Sequence, residues 1–364
     1  MAFEATKKDW SELYMFFRLL AEGMIEVGGS TDKRLPIAKI TREEHDGIRS
    51  YFIGSEEIII KSEQFEKTVL REDFQVVAQL ILDALRSEST ETTDTKGNPL
   101  IASPEGVEAF LDEVGIFNLA SQTVDRINFS LTFFTPETEP IDCILRSRIG
   151  KSLSLLDGGR AANLKLEQTG VKFASPTVSK VNALETTYTV MDRMLLIERL
   201  GGVLKYADVA DRVFRANLAM IDLHLPRLLA EMLRTMHLEG INRVSELIQR
   251  MNEINPLKVK TEFIEKHHFY EHKLKQLLIA SALGMRPAKI YTGEDSAIGA
   301  LILLKNDATL VYYPASDRNA FGEFLYKNSR FEVTPIEKDK YGTLERENYV
   351  YYFKLNLKIM LTRR

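Results

Sequence analysis

The chain has 364 residues, 45% of them hydrophobic, with 48 Lys and Arg against 52 Asp and Glu. A chain of this size buries a sizeable core as one large or two medium domains, and its net charge of −4 confines any nucleic-acid contact to local patches. The single cysteine, Cys143, excludes a disulfide framework and fits a reducing compartment; without a leader pattern or an apolar run near roughly 18 residues, a soluble cytoplasmic protein away from the membrane is expected.

Residues 9–22 read as a helix. Trp10, Leu13, Phe16, Phe17, Leu20 and Met24 recur at helical spacing, and Asp9 as N-cap with Glu12 three residues on is a capping-box pattern. After a loop at 28–32, residues 36–41, 48–53 and 57–61 read as short strands, the last two joined as a hairpin by Gly54-Ser55-Glu56. Residues 74–85 form a second helix. Residues 87–99 hold no apolar side chain and make an exposed loop, and Ser103-Pro104-Glu105 opens another helix with proline at its first position. Ile127, Phe129, Leu131 and Phe133 then alternate with polar residues as in a half-buried strand. Pro136 and Pro140 mark a turn, and residues 141–149 form the returning strand. A third strand is expected at 161–169, after a turn at Asp157-Gly158-Gly159. Residues 184–249 read as helical almost throughout, with an apolar stripe of Leu225, Leu228, Leu229, Met232, Leu233 and Met236 that belongs to a core. Asn255-Pro256 breaks the run and 271–283 is a further helix. His268 and His272, four apart, have metal-pair spacing but no third ligand nearby. Strands return at 301–304, 310–313 and 349–357, with a helix at 317–328. The class expected is α+β, with residues 1–180 as one domain and 181–364, a helical middle followed by an α/β part, as a second.

The hairpin carries the chemistry. Asp125 opens its first strand and Arg146 sits on the next, 21 residues later. An acid at the start of one strand and an acid-x-lysine on the next is how PD-(D/E)XK nucleases hold a metal beside a scissile phosphate. Carboxylates bind Mg²⁺ through hard oxygens, and a cation steadies the attacking water and the phosphate charge. Asp125 fits the first acid; Arg146 stands where the lysine belongs and Ile144 where the second acid belongs. From Arg146 to Lys180 there are seven cations (Arg146, Arg148, Lys151, Arg160, Lys165, Lys172 and Lys180) against Asp157 and Glu167, a local net of +5 that suits a phosphate-facing surface. From Arg318 to Arg364 ten Lys and Arg outnumber six Asp and Glu among many tyrosines, a second stretch suited to DNA.

Nearly end to end, the chain resembles the HpaII family of type II restriction endonucleases. The resemblance is carried by Asp9-Trp10-Ser11-Glu12-Leu13-Tyr14, Leu19-Leu20-Ala21-Glu22-Gly23, Arg146-Ser147-Arg148-Ile149-Gly150, Leu155-Leu156-Asp157 and Val213-Phe214-Arg215-Ala216-Asn217-Leu218. It continues through Asn255-Pro256-Leu257, Phe269-Tyr270-Glu271, Lys273-Leu274-Lys275-Gln276, Asp317-Arg318-Asn319, Phe324-Leu325-Tyr326-Lys327-Asn328 and Lys354-Leu355-Asn356-Leu357. It implies a PD-(D/E)XK-like mixed-sheet core, Mg²⁺, and cleavage of both strands of duplex DNA at the family's site CCGG, by one chain or a homodimer, with a DNA methyltransferase as genetic partner. Asp125 matches the strand-opening acid and Glu12 the acid of the first helix. The chain departs from the pattern at Arg146-Ser147, where the family has lysine and serine, and at Ile144; Asp142, on the same strand face, would supply the missing carboxylate and make the metal pair Asp125 and Asp142. It departs again after Thr334-Pro335, where Ile336-Glu337-Lys338 follow. These departures leave a second expectation: a weakened or inactive relative that only binds DNA. Base-reading cations are expected outside the hairpin, at Arg215, Lys273, Lys275, Arg318, Lys327 and Arg330, since such side chains read guanine edges.

Overall fold

The computed structural model describes residues 4–30, 33–87, 92–94, 99–119, 127–134, 139–149, 154–293 and 298–362. The chain forms two compact units: residues 1–153 with 297–321 and 363–364, and residues 154–296 with 322–362.

In chain order, β1 (Glu4–Thr6) leads into α1 (Lys7–Glu22), followed by β2 (Met24–Val27), β3 (Arg34–Glu44), β4 (Gly47–Ile53), β5 (Glu57–Lys61), β6 (Glu66–Leu70) and α2 (Arg71–Arg86). Next come β7 (Leu100–Ala102), α3 (Val107–Val114), β8 (Phe129–Phe133), β9 (Ile141–Ser147), β10 (Ser154–Asp157) and, after a turn of 3₁₀ helix (Gly159–Ala162), β11 (Asn163–Gly170). The middle holds α4 (Ser175–Asn182), α5 (Thr189–Arg199), β12 (Gly202–Val209), α6 (Arg212–Ile221), α7 (Leu225–Glu239), α8 (Val244–Ile254), α9 (Thr261–His267) and α10 (Phe269–Ala282). The chain then forms β13 (Ile298–Leu304), β14 (Leu310–Pro314), α11 (Arg318–Lys327), β15 (Ser329–Phe331), α12 (Ile336–Asp339), β16 (Leu344–Glu347), β17 (Val350–Asn356) and β18 (Lys358–Leu361). This is the expected α+β class. Among the described residues no helix is long and apolar enough to cross a membrane.

The first unit is built on α1 and a nine-stranded sheet of order β2-β14-β13-β9-β8-β3-β4-β5-β6. The start of β3 also pairs with β2 (Met24↔Pro36), which closes six strands into a ring. The helix is buried on nearly every side, from Trp10 through Leu20, so its sequence is apolar beyond a single stripe. The cap lies one turn earlier than the sequence pattern placed it. Thr6 is the N-cap and Asp9 the N3 partner: Asp9 N–H donates to the Thr6 hydroxyl and Thr6 N–H to the Asp9 carboxylate, both at 3.3 Å. Glu12 therefore has no capping role. Likewise α3 starts at Val107 rather than at 103–105, because Gly106 takes a left-handed φ of +86° that a helix cannot contain.

The hairpin of β8 and β9 sits near the centre of this sheet. β9 pairs antiparallel with β8 (Phe129↔Cys143, Ser130↔Asp142) and parallel with β13 (Leu301↔Ile144, Leu303↔Arg146). Cys143 and Leu145 join the core shared with α1, so the alternate residues Asp142, Ile144 and Arg146 share the other face. The expected turn at 135–140 falls partly outside the described residues, and so does most of the expected loop at 87–99.

The second unit holds a four-stranded sheet, β12-β11-β17-β16, and a three-stranded one, β10-β18-β15. One expectation is borne out and one is corrected here. The strand expected after the hairpin exists as β11, but it pairs with β12 and β17 and not with β8 or β9. The stretch read as continuously helical contains β12, whose Leu204 is buried while Val203 and Lys205 are exposed, a two-residue period enclosed between two real helices. The stripe on α7 is core as expected: Leu225, Leu228, Leu229, Met232, Leu233 and Met236 are all buried against β11, β12 and β17.

Candidate active site

The hairpin is held at its open end by Asn128. Its N–H donates to Cys143 O at 2.9 Å and its Oδ1 accepts from Leu145 N–H at 2.8 Å, extending the pairing beyond Phe129. Opposite Asp142, the Ser130 hydroxyl donates to the Asp142 carboxylate. Sequence reasoning singled out neither residue; the signal was there in the alternation, which sets polar Ser130 on the face of Asp142.

Arg146 is half-buried, and its guanidinium donates to Leu145 O at 2.9 Å. Burial lowers its pKa to about 10, with the Glu12 carboxylate pulling the other way. Glu12 lies on α1 and is only 6% exposed. The first helix and the hairpin thus bring Glu12 and Arg146 within electrostatic reach of each other. Even at about 10, Arg146 stays protonated at neutral pH, so it acts as a fixed cation and not as a base.

Asp142 stands four residues before Arg146. At about 3.3 Å per residue their Cα atoms lie roughly 13 Å apart along the strand, twice the acid-x-cation spacing. Ile144, between them, is 2% exposed and offers no oxygen. Among the described residues no group of three or more His, Cys, Asp or Glu gathers as a metal site, and His268 with His272 gains no third ligand. Asp125 and Lys151 lie outside the described residues.

The remaining predicted cations sort by partner. Within the first unit, Arg148 is half-buried; burial lowers its pKa, and the charges of Tyr313 and Asp307 oppose that shift. Arg318, in the same unit, is exposed on the first turn of α11. In the second unit most are engaged by carboxylates: Lys165 by Glu347 at 2.5 Å, Arg215 by Asp208 at 2.9 Å, Lys273 by Asp222, Lys275 by Glu271 at 2.6 Å and Glu323 at 2.5 Å, Lys327 by Glu323 at 2.8 Å, and Arg330 by Glu332 at 3.3 Å. Arg160 reaches the Lys338 carbonyl at 3.2 Å, and Lys172 is exposed. An ion pair at the surface holds loosely, typically about 0–1 kcal/mol, so the exposed pairs of Arg215, Lys327 and Arg330 do not prevent exchange of a carboxylate for a phosphate.

The family model of the HpaII restriction endonuclease matches residues 6–361. The chain is 27% identical over 366 residues, 98% of its own length and 98% of the relative's, to a protein of Haemophilus parainfluenzae described as type II restriction enzyme HpaII. No solved structure matches. With the match running from the cap of α1 to the end of β18 and taking in the whole hairpin, the chain belongs to the HpaII restriction endonuclease family.

Proposed function

We propose that the protein is a type II restriction endonuclease that cuts both strands of duplex DNA at a short specific site, using Mg²⁺ in a PD-(D/E)XK-like core. The observation that carries this reading is the coupling of Glu12 on α1 to Arg146 on the central strand of a mixed sheet, in a chain of this family. Asp125 is the first metal ligand. For the second carboxylate, Asp142 sits roughly 13 Å up the strand from Arg146, whereas the Glu12 carboxylate acts electrostatically on Arg146; this favours Glu12, with Asp142 held by Ser130 nearer the far end of the hairpin. Mg²⁺, when bound, supplies a Lewis acid at the phosphoryl oxygen and a more acidic water. Arg146 stabilises charge that develops on the phosphate. Carboxylates flanked by one permanent cation are suited to that task, because a hard dication prefers oxygen ligands.

The buried Ile144 in the place of the second acid supports a second reading, a protein that grips DNA and cuts slowly or not at all. One experiment separates the two: single-turnover cleavage of a mixed-sequence duplex and of one containing CCGG, with and without Mg²⁺, followed by sequencing of the ends. The nuclease reading expects metal-dependent cuts, lost in Asp125→Asn and Glu12→Gln with DNA binding kept, and reduced less in Asp142→Asn. Binding without cuts under every condition would leave the binding protein.

A further inference from the structure

The hairpin of β16 and β17 ends in a turn that folding alone does not account for. Glu347 pairs with Val350, so the loop is just Asn348 and Tyr349, both left-handed with φ of +47° and +68°. This primed turn matches the twist of the strands, and asparagine suits its first position, but the second favours glycine. A tyrosine there is strained, and nothing in burial offsets the strain: at 85% it is the most exposed large hydrophobic side chain among the described residues. Arg346 stacks on the ring, its guanidinium carbon 5.1 Å from the centroid. The flanking Glu345 and Glu347 are taken by Lys354 and Lys165, each at 2.5 Å, and Arg346 forms no ion pair among the described residues.

Beside this tip lies a cavity of about 430 Å³, within the roughly 300–1,000 Å³ range of small-molecule sites. Its wall includes Phe173 and Tyr351, two cations, Lys172 and Arg346, and one acid, Glu167. The Gln168 amide holds the loop rim by donating to Thr169 O and Val171 O, 2.8 Å each. An exposed ring backed by a guanidinium, over a cavity with a second cation at its edge, has the chemistry that receives a nucleotide: a π-face for the base and a positive group for its phosphate.

We propose that this hairpin tip is a nucleotide-stacking site for the DNA substrate, where an unstacked base lies on Tyr349 and Arg346 and its phosphate meets Lys172. The inference rests on DNA being the substrate and adds where one nucleotide is gripped. The experiment compares wild type with Tyr349→Phe, Tyr349→Gly and Arg346→Ala in duplex binding, thermal unfolding, and photocrosslinking to a duplex carrying 5-iododeoxyuridine. Tyr349→Phe keeps affinity and the crosslink at position 349. Tyr349→Gly relieves the left-handed strain, so it melts no lower than wild type, yet loses about tenfold in affinity and loses the crosslink. Arg346→Ala weakens binding to a similar degree. A purely structural tyrosine would give the reverse pattern for glycine. Should wild type bind and cut duplex DNA while Tyr349→Gly does both equally well with crosslinks elsewhere, the stacking site is wrong and the nuclease reading stands. Should wild type bind no duplex at all, both fall.

Discussion

Replacing Arg42 by methionine tests how the first unit is held together. Arg42 is 1% exposed on β3, and its guanidinium donates to Glu44 Oε1 at 2.9 Å and to the carbonyls of Asn118 and Leu119 at 3.1 and 2.7 Å. Tyr51 donates to the same Glu44 oxygen at 3.1 Å, and the neighbouring Arg49 caps the carbonyls of Val114 and Gly115. The other carboxylate oxygen, Oε2, is buried without a hydrogen-bond partner. Burial pushes the Glu44 carboxyl up from its usual value, and the nearby Arg42 is what chiefly restrains it. Methionine keeps an unbranched apolar side chain while removing the charge, three hydrogen bonds and the guanidinium that lies 5.1 Å over the Phe16 ring. Breaking a buried pair costs about 3–5 kcal/mol. For a unit of this size that is a fall in Tm of roughly 6–20 °C. The only tryptophan, Trp10, is buried on α1, so its fluorescence reports the melting of this unit by itself. The sign with pH follows. A carboxyl whose folded pKa lies above its unfolded value favours the fold at low pH, and that contribution is lost as pH rises through the folded pKa. Without Arg42 the rise is larger, so the variant loses more at pH 8 than at pH 5, and adding Glu44→Gln restores part of the loss. Equal losses at both pH values, or a double variant costing the sum of the two single ones, would refute the argument.

His237 on α7 has a pKa lowered to about 4 by burial. It folds neutral, so stability is lost as pH falls from about 6.5 towards 4, by at most about 3 kcal/mol, and calorimetry of His237→Phe should show a flatter acid limb. Arg146→Lys replaces a planar fork by a compact ammonium; since a 1 Å misplacement costs about 100-fold, single-turnover cleavage should rise by about 10- to 100-fold, and further with Ile144→Glu if the double variant still folds. Duplex affinity should fall steeply between roughly 50 and 200 mM salt, because phosphate contacts release counterions, and a titration that shows no dependence would count against the DNA reading.

The sequence revealed the elements whose signal is local. The α7 stripe and the β4–β5 hairpin follow from apolar spacing and a turn, and both fold as read. The α1 cap slipped because Asp9 suits either N-cap or N3, and only the backbone at Thr6 decides between them. β12 was hidden because eight residues of alternation lie between strong helices at 189–199 and 212–221, with Gly201 and Gly202 as the sole markers of the break. Glu12 was visible as an acid in a helix, but its partnership with Arg146 spans 134 residues and no spacing rule reaches that far. The pairing of β9 with β13 is of the same kind.

That last pairing bears on when, during synthesis, the first unit can take shape. β13 lies beside β9 in the sheet, yet roughly 150 residues separate them in the chain, about 8 to 30 seconds of synthesis at 5–20 residues per second. Until residues near 300 leave the ribosome, the strand that carries Arg146 lacks one neighbour and the ring of six strands stays open. A chain built this way acquires the central scaffold of its first unit only when most of the polypeptide exists, so a product truncated before β13 lacks the neighbour of the strand that carries Arg146.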